Sequence, residues 1–207
     1  MIAIVDYRAG NLASVKRAFD HLGIACEVTA DPARVAAAER VVFPGVGHAA
    51  AAMAALRERG LDQALRDAFR RGTPILGICL GAQIVLESSE EGNTACLGLL
   101  PGRCVRFRRD DPLLKVPHMG WDRIEPAGKP HPLLRAMRPG DEFYFVHTYY
   151  PAPAAAADAI ATCEYGIEFA AMIGRANLVA AQFHPEKSGE AGLAILEAFS
   201  GWDGSPC

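Results

Sequence analysis

Residues 73–83 read TPILGICLGAQ, and this stretch decides the fold. Thr73–Cys79 is a short apolar run typical of a strand buried on both faces, and a helical pattern follows Gly81 to about Ser89. Gly77 and Gly81 flank Cys79 in the form G-x-C-x-G of a nucleophile elbow, a sharp strand-to-helix turn that presents its central side chain above the sheet edge. The elbow predicts a reactive cysteine whose thiolate is favoured by the start of the helix and whose neighbour Leu80 offers an N–H to an oxyanion. The alternative is a buried structural cysteine between two glycines.

Strand and helix patterns alternate on the N-terminal side of this stretch. Predicted strands are Ile2–Tyr7, Ile24–Thr29 and Arg40–Phe43, and predicted helices follow Asn11 as a cap, open at Asp31-Pro32, and cover 49–59 and 61–71. This alternation predicts an α/β fold with an open, mostly parallel sheet and helices on both faces.

The second half is richer in strands. Strand patterns occur at 103–108, 120–125, 142–147, 159–164, 167–173 and 177–183, before a helix over Ser188–Phe199. Little helix separates them, which predicts an antiparallel extension or a small side sheet. We expect one domain, 1–207, in which residues 201–207 form a frayed tail.

Composition narrows the functional classes. The chain has 207 residues, 51% of them hydrophobic, and a formal charge of -3. These values exclude intrinsic disorder, and the scattered basic residues argue against nucleic acid as a main partner. Without an export leader or a membrane-spanning run, we expect a cytoplasmic protein with no membrane partner. Six irregularly spaced cysteines predict reduced thiols, and the spacing of the histidines predicts no metal site.

A histidine and a glutamate follow the last predicted strand, where residues 182–188 read QFHPEKS. A cysteine nucleophile needs a base that removes its proton and later protonates the leaving group, and histidine commonly serves. His184 and Glu186 lie two positions apart, so in extended backbone their side chains share a face. Active sites in doubly wound sheets form at the carboxyl ends of strands, which predicts that Cys79 and His184 meet. A lone histidine at a strand end is more often structural.

The turn after Arg40–Phe43 reads Pro44-Gly-Val-Gly47. Its N–H groups, at Val46 and Gly47, provide a second oxyanion donor if the turn lies beside Leu80; otherwise it is only a tight turn. Residues 45–50 also fit the dinucleotide pattern G-x-G-x-x-A. They follow the third strand instead of the first, so the context that this pattern requires is missing.

Taken together, these motifs resemble those of the class I glutamine amidotransferase family, and the residues that carry the resemblance are Gly77–Gly81, Gln83 and the His184/Glu186 pair. Within it, the chain resembles most the glutaminase subunits of imidazole glycerol phosphate synthase. Matching segments run through nearly the whole chain: Asp6-Tyr7, Gly10-Asn11-Leu12, Phe43–Gly47, Gly77–Gln83, Ser89–Gly92, Lys115–Trp121, Tyr144–Tyr150 and Gln182–Ser188. The resemblance implies a flavodoxin-like amidotransferase fold.

The resemblance also implies the chemistry and the partner. Cys79 would attack the side-chain amide of glutamine, His184 would transfer protons and Glu186 would orient it, without cofactor or metal. The remaining implied residues are Gln83, Glu91, Thr148 and Tyr149 for glutamine, the Val46 peptide for the oxyanion, and Asn11, Pro117, Met119, Trp121, Tyr144 and Lys187 for the interface. In this family the ammonia passes to a cyclase subunit with a (βα)8 barrel, which forms imidazole glycerol phosphate and an aminoimidazole-carboxamide ribonucleotide.

Three positions depart from the family pattern, and three other functions stay open. Arg8 stands where the family usually has Gly, Ala82 where Met is usual and Asp122 where Asn is common. Trp121 and Tyr144 fit equally a role in the core, and Lys187 a solvated surface. The open alternatives are a glutaminase subunit of another synthase, a stand-alone cysteine hydrolase or stress protein on a similar sheet, and a non-catalytic binding module.

Overall fold

The computed structural model describes residues 1–108, 115–128 and 130–205. Its α-helices are α1 (Leu12–His21), α2 (Pro32–Ala37), α3 (Ala49–Glu58), α4 (Leu61–Arg70), α5 (Leu80–Ile84) and α6 (Gly189–Gly201). Its strands are β1 (Ile2–Val5), β2 (Cys26–Thr29), β3 (Arg40–Gly45), β4 (Ile75–Cys79), β5 (Ser88–Ser89), β6 (Thr94–Ala95), β7 (Gly102–Arg106), β8 (His118–Arg123), β9 (Glu125–Pro126), β10 (Glu142–His147), β11 (Tyr149–Pro153), β12 (Ala159–Glu164), β13 (Glu168–Arg175) and β14 (Leu178–Ala181). Within these described ranges, no helix is both long and apolar enough to cross a membrane.

Eight strands form the main sheet, in the order β2-β1-β3-β4-β14-β13-β12-β9. The pairs from β2 to β14 are parallel, and those from β14 to β9 are antiparallel. The predicted mostly parallel sheet with an antiparallel extension is therefore confirmed. The order places β3, β4 and β14 side by side, so that their carboxyl ends share one edge.

Helices cover both faces of this sheet because its central strands bury alternate side chains in two separate cores. On one face, Ile4 of β1 packs with Phe19 of α1 and Phe199 of α6. On the other face, Val5 packs with Met53 of α3 and residues of α4. All four residues of β1 are buried, as the continuous apolar pattern predicts.

Two smaller sheets complete the fold. One is the antiparallel ribbon β8–β10, in which Tyr144 lies opposite Trp121, and the other has the order β11-β7-β5-β6. The strands β5, β6, β9 and β11 are not predicted from the sequence. Three of them have only two residues, and β11 contains two prolines, which are atypical of strands. The helix predicted from Gly81 to about Ser89 is wrong beyond Ile84, since the chain turns there into β5.

The C-terminal tail is anchored up to Ser205, so the prediction that residues 201–207 fray is wrong for the described part. Gly201 ends α6, and the Trp202 side chain is buried against Phe199 and His131. The Trp202 carbonyl accepts a hydrogen bond from Arg40 Nε at 3.1 Å. An indole has enough apolar surface to hold a chain end in place. Residues 206 and 207 lie outside the described residues.

Gly192 allows α6 to approach the turn that carries His184 and Glu186. A Cβ at Gly192 would lie 2.0 Å from the carbonyl oxygen of Pro185, which is backbone and cannot rotate away. We expect Gly192→Ala to lower the free energy of unfolding by about 2 kcal/mol. Gly201→Ala, in the same helix but with nothing within 4 Å, is the matched control and should cause no loss. Equal unfolding free energies for the two variants in denaturant titrations would contradict this packing.

Candidate active site

Cys79 occupies a strained turn between β4 and α5. Its φ of 53° and ψ of -106° lie outside the regions that residues with a side chain ordinarily adopt, at a typical cost of about 1–3 kcal/mol. This backbone ends the strand abruptly and starts α5 at the next residue. Cys79 is 6% exposed.

The two flanking glycines are required by contacts across the sheet. A Cβ at Gly81 would lie 2.0 Å from the backbone oxygen of Phe43 on β3, and a Cβ at Gly77 would lie 2.9 Å from Cβ of Ala180 on β14. The elbow therefore packs directly against both neighbouring strands, and only glycine fits on either side of the cysteine.

His184 and Glu186 form a buried pair next to this elbow. Both side chains are 0% exposed, and His184 Nδ1 lies 2.7 Å from Glu186 Oε1. The backbone fixes the ring as well, because the His184 N–H donates to Tyr144 O and Ser188 Oγ donates to His184 O. With Nδ1 engaged by Glu186, the ring presents Nε2, which makes no hydrogen bond with any described residue.

The electrostatics of His184 link it to Cys79. Burial lowers the pKa of His184, but interactions with Cys79 and Glu186 overcome this effect and raise the pKa to about 9. His184 is therefore protonated at neutral pH, which suits a group that later donates a proton to a leaving amine.

Asn11 contacts the same pair, which corrects its prediction as a helix cap. It occupies the position before α1 but makes no capping hydrogen bond with its side chain. Instead its Nδ2 donates to Glu186 Oε1 at 2.5 Å and lies 3.3 Å from His184 Nδ1. Asn11 is half-buried. It therefore connects the buried pair with the surface that is predicted to contact a partner.

The predicted turn Pro44–Gly47 lies next to Cys79, although its first two residues still belong to β3, which ends at Gly45 and not at Phe43. Gly45 is the parallel partner of Cys79 in the β3–β4 register, so Val46 and Gly47 follow directly beside the elbow. Leu80 is the first residue of α5, where an N–H has no partner within the helix. Gly47 has a φ of 109°, a conformation that favours glycine.

Gln83 and Tyr149 are joined, whereas Thr148 is engaged elsewhere. Gln83 Nε2 donates to Tyr149 O at 2.8 Å and to Gln182 Oε1 at 3.0 Å. The carbonyl of Thr148 accepts from the N–H of Phe107. Both backbone carbonyls at 148–149 are thus occupied in the free chain.

Glu91 binds the start of a helix. Its Oε2 accepts a hydrogen bond of 2.6 Å from the N–H of Ala49, the first residue of α3. This carboxylate therefore lies close behind the turn Pro44–Gly47, at a helix N-terminus that favours negative charge. Its predicted contact with glutamine stays a prediction.

Gln182 is a site residue that the sequence analysis does not identify. It is fully buried, and its Nε2 lies 3.8 Å from Cys79 Sγ. The only signal in the sequence is a polar residue at the end of an apolar strand, two positions before His184.

The residues predicted at the interface are split between the surface and the site. Met119 and Trp121 are 63% and 50% exposed on one face of β8, although both are large and apolar. Tyr144 packs against Trp121 edge-on, and Lys187 Nζ lies 5.7 Å from the centre of the Tyr144 ring. Pro117 precedes β8 and is exposed. An exposed apolar pair of this kind is typical of a protein interface.

Among residues 1–108, 115–128 and 130–205, no three His, Cys, Asp or Glu side chains converge as metal ligands would. The five described cysteines are free thiols, and Cys207 lies outside the described residues. That the activity needs no metal or cofactor stays a prediction.

Comparison with known proteins identifies relatives along the whole chain. Residues 3–200 match the family model described as glutamine amidotransferase class-I. The imidazole glycerol phosphate synthase subunit HisH of Nitratidesulfovibrio vulgaris (strain DSM 19637 / Miyazaki F) is 52% identical over 204 residues, covering 96% of this chain and 95% of its own. The protein of the same name from Moorella thermoacetica is 49% identical over 199 residues, covering 96% and 93%.

Solved structures share the fold at low identity. The structure of PurLQS from Thermotoga maritima superposes with a TM-score of 0.73 at 18% identity, covering 96% of both chains. The glutaminase domain of CTPS from Trypanosoma brucei gives a TM-score of 0.61 at 15% identity, covering 96% of this chain and 92% of its own. At this identity the likeness concerns the fold alone.

The raised pKa of His184 predicts how stability depends on pH. The folded-state pKa of about 9 exceeds the ordinary 6.5, so this group stabilises the fold fully below about pH 6.5. The contribution is lost as the pH rises through about 9. In Cys79→Ala the Cys79 interaction is gone, so we expect His184 to titrate at lower pH and stability to fall less over this interval. NMR titration of the ring and unfolding at several pH values measure both; identical titration of His184 in the two proteins would contradict the coupling.

Proposed function

Because the chain belongs to the class I glutamine amidotransferase family, we propose that it is the glutaminase subunit of an imidazole glycerol phosphate synthase. The observation that supports this most is the buried His184–Glu186 pair beside a cysteine held in an elbow at the same sheet edge. Relatives about half identical over nearly the full chain are named imidazole glycerol phosphate synthase subunit HisH.

In the proposed reaction, the Cys79 sulfur attacks the side-chain amide carbon of glutamine. The carbonyl electrons move to oxygen, and the N–H groups of Leu80 and of the Val46–Gly47 turn stabilise the resulting oxyanion. His184 gives its proton to the amide nitrogen, the C–N bond breaks and ammonia leaves. A glutamyl thioester remains on Cys79.

Water then completes the turnover. Neutral His184 takes a proton from water, hydroxide adds to the thioester carbon, and the C–S bond breaks. The products are glutamate and the Cys79 thiolate, with His184 protonated again. Glu186 supports each step by holding Nδ1, so that Nε2 faces the reacting atoms throughout.

We propose that glutamine binds between Gln83, Glu91 and the backbone at Thr148 and Tyr149. Gln83 and Tyr149 are joined by a hydrogen bond, and Gln182 connects them to Cys79, so a ligand held there lies beside the nucleophile. The carbonyls at 148–149 already accept hydrogen bonds, which leaves the N–H groups of this backbone for the ligand.

The partner in this proposal is a cyclase subunit with a (βα)8 barrel that receives the ammonia. The exposed Met119 and Trp121, with Tyr144 and Lys187 beside them, support a docking surface next to His184. Asn11 and Pro117 border the same surface in the proposal. One domain over residues 1–207 and a location in the cytosol also remain proposals.

We expect the purified chain to release little glutamate from glutamine alone and much more with the histidine-pathway cyclase and its nucleotide ligand. Cys79→Ala should lower the stimulated rate by at least about 10³-fold while thermal unfolding shows an intact fold. Retained hydrolysis in the variant would contradict the role of Cys79. Absence of stimulation, with a cyclase that is competent on free ammonia, would contradict the proposed partner and indicate another synthase.

A further inference from the structure

A second chain of polar groups runs through the core outside the triad. His118 on β8 and His147 on β10 lie opposite each other and are 1% and 5% exposed. Asp122 Oδ2 lies 2.7 Å from His118 Nε2, and His118 Nδ1 lies 3.1 Å from His147 Nε2. His147 Nδ1 lies 2.8 Å from the carbonyl oxygen of Tyr149. Three hydrogen bonds therefore connect a carboxylate to a carbonyl through two imidazoles.

Counting protons shows that two neutral imidazoles cannot make all three bonds. Both ends of the chain, the Asp122 carboxylate and the Tyr149 carbonyl, are acceptors. Each of the three contacts needs one hydrogen, and two neutral rings carry only two. A third proton would have to lie between His118 and Asp122, because burial lowers the pKa of His147 to about 3 and keeps that ring neutral.

An asparagine at position 122 would remove this requirement. Its amide would donate to His118 Nε2, His118 would donate through Nδ1 to His147, and His147 would donate to Tyr149, with both rings neutral. The requirement for an extra proton is thus a direct consequence of having Asp122, whose side chain is 39% exposed.

The other ionisable groups that surround the pair or act on it are Tyr165, Cys163 and His184, and the charge of His184 lowers the pKa of His147 further. Tyr165 stacks on His118 at 3.9 Å between ring centres, and its hydroxyl donates to Lys115 O. The pKa of Cys163 is raised to about 12 by burial, so its thiol stays neutral. The remaining rings around His118 are phenylalanines, namely Phe107, Phe145 and Phe169.

The inner end of this chain reaches the proposed glutamine site. Tyr149 O accepts from Gln83 Nε2 as well as from His147, and Gln83 is joined through Gln182 to Cys79. The outer end, Asp122, follows the exposed Trp121 on β8.

We propose that Asp122, His118 and His147 are positioning residues that hold the Tyr149 carbonyl, and that the proton shared by Asp122 and His118 sets which nitrogen of His147 is protonated. With that proton present, His147 donates from Nδ1 to Tyr149. When it leaves, His118 keeps its charge-assisted bond to Asp122, the stronger kind, and accepts from His147 Nε2. The bare Nδ1 then faces the carbonyl oxygen, and the backbone beside Gln83 loosens. The effect on glutamine rests on the proposed function, whereas the protonation states do not.

Burial lowers the pKa of His118 and the interaction with Asp122 opposes this, so the change falls on the acidic side of the ordinary histidine range. The test is long-range ¹H–¹⁵N NMR of the histidine rings in the isolated full chain, between about pH 5 and 8. We expect His118 to lose its second ring proton with rising pH, while His147 changes from the Nδ1–H to the Nε2–H form. In Asp122→Asn, both rings should stay neutral and His147 should keep Nδ1–H throughout. Asp20→Asn removes a charge from an exposed pair with Lys16 and should behave as the wild type.

The same variants test the effect on the site in the complex with the cyclase. As the pH rises, the KM for glutamine should increase in the wild type and in Asp20→Asn. The increase should exceed any change in Asp122→Asn by roughly fivefold, which corresponds to the loss of one neutral hydrogen bond. Equal KM profiles in all three would overturn the positioning role. A His147 ring that carries Nε2–H at every pH, or a His118 titration unaffected by Asp122→Asn, would overturn the shared proton. If none of these three proteins hydrolyses glutamine, the proposed function is wrong. The NMR spectra of the histidine rings then still decide the protonation states of His118 and His147.

Discussion

The left-handed backbone of Cys79 exists because two glycines leave room for it between two neighbouring strands. Phe43 O on β3 occupies the space where a side chain of residue 81 would be, and Ala180 on β14 does so for residue 77. The same close packing brings Gly45 level with Cys79 and places His184 just beyond β14. Cys79, the turn Pro44–Gly47 and His184 therefore meet at one sheet edge, because β3, β4 and β14 pack closely there.

Burial gives this edge its electrostatic character. Burial alone would lower the pKa of His184, but the little-screened interactions with Cys79 and Glu186 outweigh this effect and raise the pKa to about 9. Glu186 is also held by Asn11, a residue at the start of α1. A partner that contacts Asn11 or Tyr144 would thus be one contact away from the pair. The Asn11 side chain binds Glu186, and the Tyr144 carbonyl accepts the N–H of His184.

Much of this arrangement follows from local sequence patterns. The apolar runs of β1, β3, β4 and β14, the glycines around Cys79 and the spacing of His184 and Glu186 each have a direct physical meaning. The two-residue strands and the proline-containing β11 do not, because two residues carry no periodic pattern and prolines are atypical of strands. The contacts of Asn11 and Gln182 could not be predicted from local patterns either, because their partners lie 175 and 103 positions away in the chain. Trp202 is anchored by contacts with α6 and His131 that no terminal pattern reveals.

The proposed reaction depends above all on Cys79 as the nucleophile of a glutamine-specific site. The most direct measurement is covalent labelling of the complex by a glutamine analogue with a diazo ketone in place of the amide, followed by peptide mass spectrometry. We predict one adduct, on Cys79, that excess glutamine prevents, while the buried thiols of Cys96, Cys104 and Cys163 stay unmodified. Labelling of another cysteine, or labelling of Cys79 that glutamine does not prevent, would contradict the account.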